Sequence, residues 1–321
     1  MSHYQTLGRT GLNVSNICLG TMQFGWTASE QTAYQIIDTA LDLGCNFLDT
    51  ADIYSRWHEP NAGGESETII GRWLAQTSHP RHQLILATKV RGPMGTAPTE
   101  QGLSRHHILN SVHASLKRLQ TDYIDLYQIH WPDESVPLDD TLRTLDGLVT
   151  AGKVRYIGCS NYPAWLLMKS LWISDIRHLV RFDTLQPHYN LVHRAEFERE
   201  LQAVCADQQI GVLPYSPLAG GFLTGKYQPD KPQPSSARAD RNLERYGHER
   251  GWQTVRALDE VATELNASIP QVAVAWVLAN PTVTSAIIGA NTPQQLKDTY
   301  PAANLTLTST QKEKLDTASQ W

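Results

Sequence analysis

Tyr123-Ile124-Asp125-Leu126-Tyr127-Gln128-Ile129-His130 is an apolar run of strand length, and Leu138 to Ala151 behind it carries apolar residues at helical spacing. The same couplet recurs on both sides. Upstream, Asn16 to Gly20 precedes a helix over Glu30 to Leu43, Asn46 to Asp49 precedes one over Ser66 to Gln76, and Gln83 to Lys89 precedes one over Arg105 to Leu119. Downstream, Val154 to Ser160 and Val180 to Gln186 are each followed by helical periodicity, and Gly211 to Ser216 and Ser285 to Gly289 complete the series. Eight strand candidates alternating with helices are the signature of parallel βαβ units, and eight such units close a (β/α)8 TIM barrel, an α/β fold. Ahead of the first unit, Tyr4 to Ser15 folds back around Gly8-Arg9-Thr10-Gly11 and predicts a β-hairpin cap. Ser104, and Ser268 before Ile269-Pro270, stand where helix starts need them.

The chain has 321 residues, long for an ordinary domain but normal for a barrel, and no Gly/Ser linker divides it. We read residues 1–321 as a single barrel domain. Gln228 to Arg250, rich in Pro, Ser and Arg, reads as a long loop after strand seven, on the face where barrels place their sites. An apolar fraction of 41% with 18% charged residues is globular composition. With 27 Lys plus Arg against 32 Asp plus Glu, no basic surface for a nucleic-acid partner is implied. No signal-peptide pattern and no run near 18 apolar residues occurs, so no membrane partner and a cytoplasmic location are expected. The four cysteines are isolated within apolar segments, and the twelve histidines are scattered without ligand spacing, which predicts neither disulfides nor a metal site.

Neither GxGxxG nor GxxxxGK[ST] is present, so the usual dinucleotide and P-loop signatures are missing. Instead, ionisable residues end three consecutive apolar strands: Asp49, Lys89 and His130. Taken singly, each has a bland reading, as a turn cap, a solvent-seeking amine or a satisfied core histidine. Taken together they converge, because every strand of a parallel barrel opens its C-terminus onto one face. A lysine there, among apolar neighbours, needs a counterion, and Asp49 on the adjacent strand is placed to supply it.

Asp49-Thr50-Ala51-Asp52-Ile53-Tyr54, Ala87-Thr88-Lys89 and Gln128-Ile129-His130-Trp131-Pro132 resemble the aldo-keto reductases. The resemblance runs from Leu7-Gly8-Arg9-Thr10-Gly11-Leu12-Asn13-Val14-Ser15 through Gly158-Cys159-Ser160-Asn161 and Tyr215-Ser216-Pro217-Leu218. It continues through Gly221-Phe222-Leu223-Thr224-Gly225-Lys226-Tyr227 to Gly289-Ala290-Asn291-Thr292-Pro293-Gln294-Gln295-Leu296. The branch it is most similar to is the bacterial one that also resembles the voltage-gated potassium channel β-subunit. The resemblance implies an NAD(P)H-dependent oxidoreductase that reduces an aldehyde or ketone, a small-molecule partner, by hydride transfer. Tyr54 would be the general acid, with Lys89, Asp49 and His130 assisting. A free phenol, with a pKa near 10, is a poor acid, so Lys89 is expected to make it more acidic.

By the same resemblance Ser160, Asn161 and Gln186 would hold the carboxamide of the cofactor and Tyr215 would stack on its nicotinamide. Ser216, Pro217, Leu218, Gly220, Gly221 and Lys226 would take the pyrophosphate, Gly289, Asn291, Gln295 and Asp298 the adenosine end, and Arg238 would close over it. Trp26, Trp57 and Trp131, in or beside strand-end loops, are placed to wall a substrate pocket, although simple loop packing explains them as well. Three departures matter. Thr292 stands where the family often has the arginine that grips a 2′-phosphate, and Thr299 where it has asparagine, so NADP(H) is the family default with NAD(H) or dual use open. Ser55 replaces the usual glycine after the tyrosine, ahead of a longer Arg56-Trp57-His58 segment. Two other readings stay in play: a lyase or aldolase using Lys89 as a Schiff base, and a nucleotide-binding regulatory protein with slight turnover.

Overall fold

A computed structural model describes residues 4–229, 234, 236 and 238–321. The strands, in chain order, are β1 Tyr4–Thr6, β2 Asn13–Ser15, β3 Ile17–Gly20, β4 Phe47–Asp49, β5 Ile85–Val90, β6 Ile124–Ile129, β7 Val154–Ser160, β8 Phe182–Gln186, β9 Gly211–Val212 and β10 Ala286–Gly289. The helices are α1 Glu30–Asp42, α2 Glu65–Leu74, α3 Arg105–Leu119, α4 Leu138–Thr150, α5 Ala164–Arg177, α6 Gln202–Gln208, α7 Ala239–Tyr246, α8 Glu249–Glu264, α9 Ile269–Leu278, α10 Pro293–Thr299 and α11 Ser309–Ala318. β1 and β2 pair antiparallel as the hairpin. The other eight strands form one parallel sheet in the order β10-β3-β4-β5-β6-β7-β8-β9, and bridges from Val212 to Val283 and from Tyr215 to Ile287 close it on itself. The fold is a (β/α)8 barrel.

Register explains the rest, because side chains alternate between the two faces of a strand. Cys18, Phe47, Ile85, Ala87, Leu126, Leu213 and Ile287 point inward and pack as one buried cluster, with Leu7 and Val14 of the hairpin segment as its plug. A second, larger cluster lies between the strands and the helices outside them. Continuing the inward alternation by two residues gives Asp49 after Phe47, Lys89 after Ala87, and Gln128 then His130 after Leu126. The lumen is apolar at its floor and polar at its mouth.

Ser104 Oγ accepts from His107 N at 3.2 Å and starts α3. At the start of α9, Gln271 Oε1 accepts from Ser268 N at 3.1 Å, with proline in the first turn. The reading of Gln228 to Arg250 as loop needs correction, since α7 and the first residues of α8 lie within it. The inward residues of α7 are Ala239, Asn242 and Tyr246. The middle one is polar, so an apolar count along the sequence misses the helical period. Residues 230–233, 235 and 237 of that stretch lie outside the described residues.

α2 and α3 meet at Gly71, where a Cβ would sit 2.0 Å from the Arg118 carbonyl oxygen. That contact lets Arg118 Nε reach Glu67 Oε2 at 2.7 Å, while Glu67 Oε1 accepts from Thr88 Oγ1, next to Lys89. Backbone cannot move aside cheaply, so Gly71→Ala is expected to cost about 1–3 kcal/mol of stability, read as a lower urea midpoint at unchanged slope. An unshifted midpoint would show that the helices separate freely.

Candidate active site

The register pairs Gly20 with Asp49, Asp49 with Ala87, Lys89 with Gln128, Gln128 with Gly158, and Ser160 with Gln186, so the polar layer runs around the mouth. At its centre Lys89, fully buried, donates all three ammonium protons: to Asp49 Oδ1 at 2.5 Å, to the Thr50 carbonyl at 2.9 Å and to Tyr54 Oη at 3.0 Å. Asp49 Oδ2 accepts from Gln128 Nε2 at 3.0 Å and Gln186 Nε2 at 2.9 Å. Tyr54 therefore accepts from Lys89 and keeps its own hydrogen for another acceptor. The ring of Tyr54 lies 5.9 Å from that of His130.

Burial works to discharge Lys89, but the attraction of Asp49 and Tyr54 outweighs it and lifts its pKa above the ordinary lysine value. Burial, then the charges of Lys89 and Arg91, hold His130 well below the ordinary histidine value, so the imidazole is neutral. Its Nδ1 is buried without a hydrogen-bond partner among the described residues. The expected acidifying pull of Lys89 is present but does not prevail. Burial raises the pKa of Tyr54, and the opposing pull of Lys89 is the smaller effect. The phenol therefore stays protonated through neutral pH.

Trp131 stacks on His130 at 3.8 Å, and Trp57 lies 6.2 Å from Tyr54 and 5.6 Å from Trp26. Trp57 and Trp131 thus flank the tyrosine–histidine pair, and Trp26 packs behind Trp57. Arg238, from the long segment, sets its guanidinium 5.1 Å from the Trp26 ring. Ser55 takes φ 71°, a left-handed conformation that glycine adopts freely, and its hydroxyl donates to the Phe24 carbonyl at 2.7 Å.

Ser160, Asn161, Gln186 and Tyr215 come together. Ser160 Oγ donates to the Gln186 carbonyl at 2.7 Å, Asn161 Nδ2 to the His130 carbonyl at 3.0 Å, and Tyr215 Oη to Asn161 Oδ1 at 2.9 Å. Gln186 gives its amide hydrogens to Asp49 and, at 3.3 Å, to Gln128, leaving Oε1 as the acceptor for a ligand. Pro217 and Leu218 carry the turn from Ser216 to Gly221, in which Ser216, Ala219, Gly220 and Gly221 all have positive φ. A Cβ on Gly221 would lie 3.1 Å from Lys226 Nζ. Bare backbone beside an ammonium suits a pyrophosphate, and the flat ring of Tyr215 suits a nicotinamide. Beyond the closing seam, Gln295 Oε1 accepts from Asn291 N at 2.9 Å, and a Cβ on Gly289 would overlap Gln23. Asp298 accepts from Gln294 at 2.7 Å on the exposed side of α10.

Sequence reasoning left out Gln128. Its only signal is a polar residue at the inward register of an apolar strand. Glu67, Arg118 and Asn242 were also missed, since long-range contacts alone give them meaning.

A sequence model of the Aldo/keto reductase family matches residues 16–320. The chain belongs to the aldo/keto reductase family. It is 41% identical over 308 residues to the uncharacterized oxidoreductase YrpG of Bacillus subtilis (strain 168), covering 95% of this chain and 92% of that protein. It is 38% identical over 328 residues to protein tas of Escherichia coli (strain K12), at 95% and 94% coverage. A probable voltage-gated potassium channel subunit beta of Arabidopsis thaliana is 32% identical over 307 residues, at 94% and 91%. Membership makes this reductase-family protein an NAD(P)H-dependent oxidoreductase. Among its described residues no single helix is long and apolar enough to cross a membrane.

The neutral state of His130 links pH to folding. Unfolded histidine takes a proton below about pH 6.5, while the folded one resists, so stability falls as pH drops through that range. His130→Gln is expected to reduce the loss of denaturation midpoint between pH 6.5 and pH 5. An identical loss in the variant would mean that His130 titrates normally in the fold.

Proposed function

We propose that the protein reduces an aldehyde or ketone to an alcohol, with Tyr54 as general acid, Lys89 and Asp49 as its charged support and His130 as the group that positions the carbonyl oxygen. The observation that carries this reading is the one-way hydrogen bond from Lys89 to Tyr54, which leaves the phenolic proton free for a substrate. Tyr215, Ser160, Asn161 and Gln186 would hold the nicotinamide of a bound cofactor, whose reduced form would supply the hydride for the carbonyl carbon. Tyr54 delivers its proton to the oxygen as negative charge builds there. The Lys89 ammonium stabilises the phenolate left behind, and Asp49 keeps that ammonium charged and aimed. Neutral His130 steers the oxygen without competing as a proton source. Trp26, Trp57 and Trp131 would shelter an apolar or sugar-like carbonyl compound from water.

The Schiff-base alternative fits less well. Such a nucleophile must be an uncharged amine with a free lone pair, whereas Lys89 is held charged with every proton engaged. Tyr54→Phe is expected to lower aldehyde reduction by about 10²–10⁴-fold while fluorescence titration still shows cofactor binding. With the phenol pKa raised, kcat/KM for reduction by the wild type should stay level from pH 6 to pH 9. A fall centred near pH 7.5 would mean that the acid is another group or that the phenol is acidified after all.

NADP(H) is the favoured cofactor, with weak discrimination against NAD(H). Thr292 uses its hydroxyl to accept from Gln295 N at 3.2 Å at the start of α10, and no guanidinium lies between Gly289 and Thr299 to grip a 2′-phosphate. Dissociation constants for NADPH and NADH should lie within about tenfold of each other. Thr292→Arg should widen that ratio toward NADPH by about ten- to a hundredfold, the worth of one charged contact of about 1.5–3 kcal/mol. A wild type that binds NADPH a thousandfold tighter would overturn this.

A further inference from the structure

Behind Tyr215, on the side away from the proposed nicotinamide position, lies a second aromatic layer. His188 stacks on Tyr215 with ring centroids 5.0 Å apart and planes 10° from parallel, and His193 stacks on His188 at 4.0 Å. The stack is held at one edge by a hydrogen bond. Two donors face the ring nitrogens of His188, Arg245 Nη2 of α7 at 3.2 Å from Nδ1 and Asn190 Nδ2 at 3.2 Å from Nε2, and a neutral imidazole, with one lone pair, accepts from one of them. Asn190 Nδ2 also donates to the Ser216 carbonyl at 2.9 Å, and its Oδ1 accepts from Val192 N at 3.0 Å, which fixes the amide orientation. One helix turn before Arg245, Asn242 Nδ2 donates to the Gly220 carbonyl at 2.9 Å.

We propose that His188 is a positioning residue for the cofactor, a flat aromatic backing that holds Tyr215 in plane under the nicotinamide. This rests on the reading of Tyr215 as the nicotinamide platform. A tyrosine ring is pinned at its hydroxyl by Asn161, but one hydrogen bond leaves the ring free to tilt about it. A second flat ring in contact removes that freedom. A cavity of about 450 Å³, lined by Asn161, Pro187, His188, Phe197 and Arg199 among others, adjoins His188 and Asn161. Burial, then His193, Arg245 and Arg241, push His188 down to about 2, so the backing carries no charge at any working pH. An imidazolium in its place would repel the positively charged oxidised nicotinamide.

Binding of two ligands separates this from a general structural role. ADP-ribose 2′-phosphate carries the adenosine and pyrophosphate groups but no nicotinamide, so the platform does not touch it. His188→Ala is expected to raise the dissociation constant of NADPH about tenfold and leave that of ADP-ribose 2′-phosphate within twofold of wild type. His188→Phe, which keeps a flat ring and drops the nitrogen contacts, should restore NADPH binding to within about threefold. Equal weakening of both ligands by His188→Ala, or no weakening of either, would overturn the proposal. Tyr215→Ala is the control for the reading beneath it. Should that variant bind NADPH as the wild type does, the platform assignment fails; should only Tyr215→Ala discriminate between the ligands, the platform stands and His188 has no part in it.

Discussion

A fully buried ammonium sets the terms for the mouth of this barrel. Lys89 could not stay charged in an apolar lumen without compensation, and the compensation is complete: a carboxylate, a carbonyl and a phenol take its three protons. Each partner is fixed in turn. Asp49 is held by Gln128 and Gln186 from two further strands, and Thr50 and Tyr54 belong to the segment that leaves β4. Removing any member would strand a charge away from water, so the arrangement is rigid before a substrate arrives.

That rigidity has a chemical consequence. The environment that charges Lys89 also raises the Tyr54 pKa and keeps His130 neutral, because burial penalises phenolate and imidazolium alike. The three groups therefore rest in distinct protonation states through neutral pH: cationic, protonated and uncharged. All three states follow from one dry pocket.

The turn after β9 follows a different logic, with backbone doing what side chains do around Lys89. Left-handed conformations at Ser216, Ala219, Gly220 and Gly221 fold the turn after β9 into a cradle, and α7 braces it through Asn242. Arg238 and Arg245 connect that brace to Trp26 and to His188, so both flanks of the mouth touch the same helical segment.

The sequence by itself determined the alternation of strands and helices, hence the barrel, and the three strand-end residues Asp49, Lys89 and His130, because a period of two and a common open face leave little freedom once eight parallel strands are granted. The family's motifs then pointed to Tyr54 and to the residues around Tyr215. Tertiary structure alone decided the rest. The role of Gln128 depends on which way one polar residue faces, and α7 was hidden because its middle inward position is Asn242, whose partners, Gly220 and Tyr227, lie 22 and 15 residues away in the chain. The direction of the Tyr54 pKa depends on how much water is excluded, a sum over the whole surrounding fold that no local pattern records. Composition and spacing report what each residue prefers; burial and contact set what it is allowed to do.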